Sequence, residues 1–74
     1  MSRLPQVRPD RLVRVFLRLD FKVVRQTGAH CFLRHADGRT VNIPMHKGRD
    51  VPPGTLRAIL ADAKLSADEL RALL

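Results

Sequence analysis

Tryptophan and tyrosine are missing from this 74-residue chain, and only three phenylalanines bring large rings. A core with so little aromatic bulk has to be aliphatic, and the 45% apolar content is enough to build one. The single cysteine, Cys31, excludes an internal disulfide. No apolar run is long enough to span a membrane or to act as a secretory signal, so a cytoplasmic protein is expected. Acidic residues are also scarce. Seven Asp and Glu face fourteen Lys and Arg, giving a net charge of +7. Eleven of those fourteen cations are Arg, whose planar fork grips phosphate with two hydrogen bonds. A polyanionic partner is one reading of this excess, and charge that serves only solubility is the other.

One domain covering residues 1–74 is expected, near the lower size limit for folding alone, where only about 60% of the unfolded chain's surface can be buried. From Pro9 to Leu19, the residues Leu12, Val13, Phe16, Leu17 and Leu19 recur at helical spacing with Arg11, Arg14 and Arg18 between them. Pro9 suits the first helical position, Asp10 suits the positive end of the dipole, and Asp20 can stop the helix in left-handed geometry. Residues 21–26 and 29–35 then read as two strands around Thr27-Gly28. After Asp37-Gly38, a strong hairpin dipeptide, Thr40 to Ile43 form a third strand. Residues 46–53, with Gly48, Pro52 and Pro53, read as a loop. Leu56, Ile59 and Leu60 mark a helix from Thr55 to Ala63. Ser66 and Glu69 form a capping box for a last short helix with Leu70, Leu73 and Leu74 on its apolar side. The predicted class is α+β, in the order α-β-β-β-α with a C-terminal extension: a three-stranded antiparallel sheet with its helices on one face.

With these elements in place, the chain resembles the HicA, or YcfA-like, family of messenger-RNA interferase toxins. The resemblance is carried by Leu4-Pro5, by Phe21 through Gly28 followed by His30, and by Asp37-Gly38-Arg39. It continues through Pro44-Met45-His46 and Pro53-Gly54-Thr55-Leu56-Arg57 to Ile59-Leu60. It implies a double-stranded-RNA-binding-domain-like fold and a metal-independent endoribonuclease that cuts messenger RNA and is held inactive by a HicB-type antitoxin. It also places the catalytic histidine at His30. Ala29 stands where the family usually has Ser, Cys31 where a second His is common, and Asp20 where Gly is usual.

The residues themselves allow this chemistry. RNA carries its own nucleophile, the 2′-OH, so the protein has to supply only proton transfer and charge stabilisation. An imidazole, which ordinarily titrates at about 6.5, suits such a transfer at neutral pH. His30 begins a strand beside Gly28, where backbone can approach a phosphate closely. Strand alternation puts His35 on the face opposite His30, and His46, beyond the third strand, is a weaker second candidate. Zinc binding by His30, Cys31, His35 and His46 is disfavoured because adjacent strand residues point apart, so neither metal nor other cofactor is expected. Arg25, Gly28, Arg34, Arg39, Lys47 and Arg49, in the hairpins and loop around His30, are the candidate RNA-binding residues, and Arg57 can join them. Phe16, Phe21 and Phe32 are assigned to the core, which leaves recognition to shape and phosphate with little choice of sequence. Two other readings stay open. One is a non-catalytic RNA-binding module of the same fold, and the other is an interaction subunit that docks an acidic protein.

Overall fold

A computed structural model describes residues 3–74. Six elements follow one another: α1 (Pro9–Arg18), β1 (Lys22–Gln26), β2 (His30–Arg34), β3 (Thr40–Pro44), α2 (Pro53–Ala63) and α3 (Ala67–Leu73). The strands form one antiparallel sheet in the order β1-β2-β3. Alternation along β2 and β3 turns Cys31, Leu33, Val41 and Ile43 inward, where they are buried in one cluster with Leu12, Val15 and Phe16 of α1 and Leu56, Ile59 and Leu60 of α2. Each large aliphatic side chain buried in this way contributes about 1.5 to 3 kcal/mol. The helices therefore cover one face of the sheet and leave the other open, as the α+β prediction requires.

Local chemistry accounts for the element boundaries. Pro9 lies in the first turn of α1 and Asp10 follows it. At the other end the amide of Phe21 donates to the Phe16 carbonyl at 3.0 Å and that of Asp20 to Leu17 at 3.2 Å, with Asp20 at φ 70°. This is the Schellman pattern, completed by an edge-on contact of the Phe16 and Phe21 rings at 4.9 Å. The end of α2 repeats it: Leu65 donates to Leu60 and Lys64 to Ala61, with Lys64 at φ 54°. α2 starts at Pro53, two residues before the predicted Thr55. Proline is favoured at a helix's first position because its missing N–H would have no partner there, so the pair read as loop belongs partly to the helix. The capping box at Ser66 and Glu69 is present in both directions, at 3.0 and 2.9 Å, and it holds the Glu69 carboxyl below its ordinary range. Leu70 is fully buried, with Leu73 and Leu74 packed against the core.

One departure from expectation bears on function. Phe16 and Phe21 are core residues, but Phe32 is only half-buried and lies on the open face, because it alternates with the buried Cys31 and Leu33. β1 departs as well. Its register slips between Val23 and Arg25, a bulge at Val24, so that Arg25 comes to lie opposite Phe32. The bulge leaves Val24 60% exposed.

Candidate active site

His30 opens β2 directly after the Thr27 to His30 turn. The Thr27 amide donates to the His30 carbonyl at 2.9 Å, and the His30 amide donates to Thr27 Oγ1 at 3.1 Å. The imidazole is thereby carried on a backbone fixed from both sides, and it projects on the open face with Phe32 and Arg34. The His30 and Phe32 rings are 6.2 Å apart between centroids and tilted by 39°. Gly28 in the turn has no left-handed φ, and a Cβ built there would meet nothing within 4 Å. The fold itself therefore does not demand glycine at this position.

Pro44 faces His30 across the sheet, and the next residue, Met45, donates its amide to the Ala29 carbonyl at 2.7 Å. That bond ties the loop after β3 to the turn before β2 and brings His46 and Lys47 to the end of the sheet where His30 sits. A depression of about 420 Å³ lies there, lined among others by Arg8, Gln26, Gly28, His46 and Lys47. His30 borders this end without forming part of that wall. Arg49 is exposed in the same loop, with its amide on the His46 carbonyl.

The predicted RNA-binding cations separate into groups. Arg25 lies on the open face with its guanidinium 5.9 Å from the centre of the Phe32 ring. Arg34 shares that face, four residues along the strand from His30, which is roughly 13 Å. Neither they nor Lys47 and Arg49 have an ion-pair partner among the described residues. Arg39 is placed differently. It lies beyond the far end of the sheet, with Nε on Asp37 Oδ2 at 2.7 Å, a terminal nitrogen on the Ala63 carbonyl, and its charge 5.1 Å from the Phe21 ring centre. It closes the β2–β3 turn and caps α2, so it does not cluster around His30 as the sequence spacing implied. The reason is tertiary: the α2 carbonyl that receives it lies 24 residues away in the chain.

His35 lies on the side of the sheet opposite His30, as alternation predicts. Its ring meets the edge of Phe21 at 5.2 Å, and its Nδ1 accepts the Asp37 amide at 3.1 Å. Asp37 is held below the usual carboxylate range, first by the Arg39 amide and then by the Arg39 side chain and His35. Burial pushes the Cys31 thiol up, so it stays protonated and serves as core. Among the described residues no group of three or more His, Cys, Asp or Glu side chains is placed to hold a metal ion, and no helix is long and apolar enough to cross a membrane.

Over residues 9–65 the sequence matches the family model described as HicA toxin of bacterial toxin-antitoxin. The chain belongs to the HicA toxin family. The match runs from the first residue of α1 past the end of α2, so the toxin's whole sheet, with His30 and His46, lies inside it. A search of curated proteins gives no match. The feature of this HicA toxin that sequence reasoning missed is Phe32. Its signal was nevertheless present, since a residue two places after His30 in a regular strand must share the face of His30.

Proposed function

We propose that this HicA toxin is an endoribonuclease that cuts messenger RNA without a metal, with His30 as general acid/base, and that a HicB-type antitoxin in the cytoplasm neutralises it. The observation that carries this reading is the position of His30: half-buried at the head of β2, on the face free of helices, and at the end of the sheet to which the bond from Met45 to Ala29 ties the loop of His46, Lys47 and Arg49. The RNA 2′-oxygen attacks the adjacent phosphorus as its proton passes to a base, and the 5′-oxygen leaves as an acid protonates it. The products are a 2′,3′-cyclic phosphate and a 5′-hydroxyl. His30 performs one of these transfers, and His46, at the same end of the sheet, is the candidate for the second. Arg25, Lys47 and Arg49 hold backbone phosphates and offset the charge that develops on the phosphoryl oxygens.

The test compares wild type with His30→Ala and His46→Ala, each confirmed folded by thermal melting, on a labelled RNA and in growth assays. His30→Ala should lower the cleavage rate by about 10² to 10⁴ and abolish toxicity. It should change stability by no more than about 1 kcal/mol, because a half-exposed ring packs little surface. His46→Ala should give a partial loss. Cleavage should persist in excess chelator with cyclic-phosphate ends. A folded His30→Ala that cuts at the wild-type rate rejects the mechanism, and a wild-type protein that binds RNA without cutting it makes the binding module the better reading.

A further inference from the structure

None of the three strands contains an Asp or Glu, and their open face presents Lys22, Arg25, His30, Phe32, Arg34 and Asn42. Such a face attracts a polyanion, yet at its centre is a phenyl ring. Phe32 lines a depression of about 360 Å³ together with Val24, Thr40, Asn42, the inward-facing Leu33 and Val41, and Asp62 of α2. Nothing in the hydrophobic core accounts for this ring, which is excluded from the buried cluster. Arg25 stands 5.9 Å from its centre, and His30 is 6.2 Å away on the same strand face.

We infer that Phe32 is a stacking platform for one unpaired nucleobase of the RNA, which lies on the Phe32 ring beside the Arg25 guanidinium and next to His30. A planar aromatic flanked by a planar cation on an otherwise cationic sheet is suited to a base joined to a phosphate. An apolar peptide side chain would gain nothing from the surrounding charge. Because Phe32 and His30 are neighbours on one face, a base stacked on the ring directs its own or the adjacent phosphodiester toward the imidazole. Phe32 is thus a positioning residue. It makes the toxin favour single-stranded RNA, since a paired base must first be unpaired and unstacked to reach the ring. The platform presupposes RNA as the substrate, as proposed above.

The experiment measures binding of a short unstructured RNA oligonucleotide, and of the same oligonucleotide with a single abasic position moved along it, to folded His30→Ala protein with Phe32 intact or changed to Leu, Ala or Trp. Phe32→Leu and Phe32→Ala should weaken binding by about 5- to 150-fold, the range found for loss of a base–aromatic stack. Phe32→Trp should bind at least as well as the intact ring. One abasic position should weaken binding to the intact protein by a similar factor and have no effect on Phe32→Leu, a coupling that a purely structural ring would not produce. With His30 restored, Phe32→Leu should raise KM more than it lowers kcat. If the oligonucleotide binds His30→Ala protein equally whether Phe32 is intact or changed to leucine, the platform is wrong while the ribonuclease reading stands, and the half-exposed ring is then a contact for a protein. If RNA binds and depends on Phe32 but wild type never cuts it, the platform holds and the ribonuclease reading fails. If no RNA binds, both fall.

Discussion

Removing the Arg39 side chain separates a structural cation from a substrate contact. In Arg39→Ala three interactions vanish together: the charged hydrogen bond to the Ala63 carbonyl, the ion pair with Asp37 at 2.7 Å, and the approach to the Phe21 ring at 5.1 Å. The Arg39 side chain is only 27% exposed, so the bond to Ala63 belongs with the stronger, charge-assisted class worth about 1.5 to 3 kcal/mol. The ring contact adds about 0.5 to 1 kcal/mol. The Asp37 carboxylate is 47% exposed, so solvent screening makes the ion pair the smallest of the three. These effects share one guanidinium and do not sum, which leaves an expected loss of about 2 to 3 kcal/mol. For a domain of this size each kcal/mol lowers Tm by about 4 to 8 °C, so the melting midpoint should fall by roughly 10 to 20 °C. Arg39→Lys, which keeps the charge and loses the fork, should recover only part of it. RNA cleavage per folded molecule, assayed well below both midpoints, should stay within about twofold of wild type, since Arg39 lies beyond the end of the sheet opposite His30 and most of the salt-dependent binding comes from other cations. A variant that melts with wild type and fails to cut would show that Arg39 serves the substrate after all.

The left-handed residues closing α1 and α2 predict gains instead of losses. Lys64→Gly should stabilise the fold by about 1 kcal/mol, and Asp20→Gly by somewhat less, because a short polar side chain tolerates φ 70° better than a long one tolerates φ 54°. A lower urea midpoint in either variant would sink the strain argument. The lowered Asp37 carboxyl predicts a pH effect whose sign follows from linkage. Its contribution is complete above the unfolded value of about 3.9 and disappears as pH falls through the lower folded value. Wild type should therefore outlast Asp37→Asn in urea at pH 7, and the gap should narrow as pH falls below the unfolded value. A gap that does not change with pH would show that the charge on Asp37 is irrelevant.

Most of the fold was legible because it rests on local rules. Pro9 and Asp10 start α1, Asp20 ends it, Asp37-Gly38 turns the second hairpin with Gly38 at φ 100°, and Ser66 with Glu69 caps α3. Each rule involves residues within a few positions of one another, and none needs the rest of the chain. The place of His30 at the start of a strand was legible from the Thr27-Gly28 turn before it, and its face relative to His35 from the two-residue period of a strand.

What the sequence determined by itself was therefore the order of elements, the caps that start and stop α1 and α3, and the place of the histidine at the head of β2. The tertiary structure decided which side chains share a surface. Arg39 looked like its neighbours until the carbonyl end of α2, far along the chain, claimed it. Arg25 came to face Phe32 only because the bulge at Val24 shifted the register of an edge strand. His46 joined the end of the sheet that holds His30 through the pairing of Pro44 with His30 and the bond from Met45 to Ala29. Phe32 was counted as core because a large apolar ring is usually buried, whereas the side of the sheet the helices cover is set by packing between elements distant in sequence, and here they cover the side away from it.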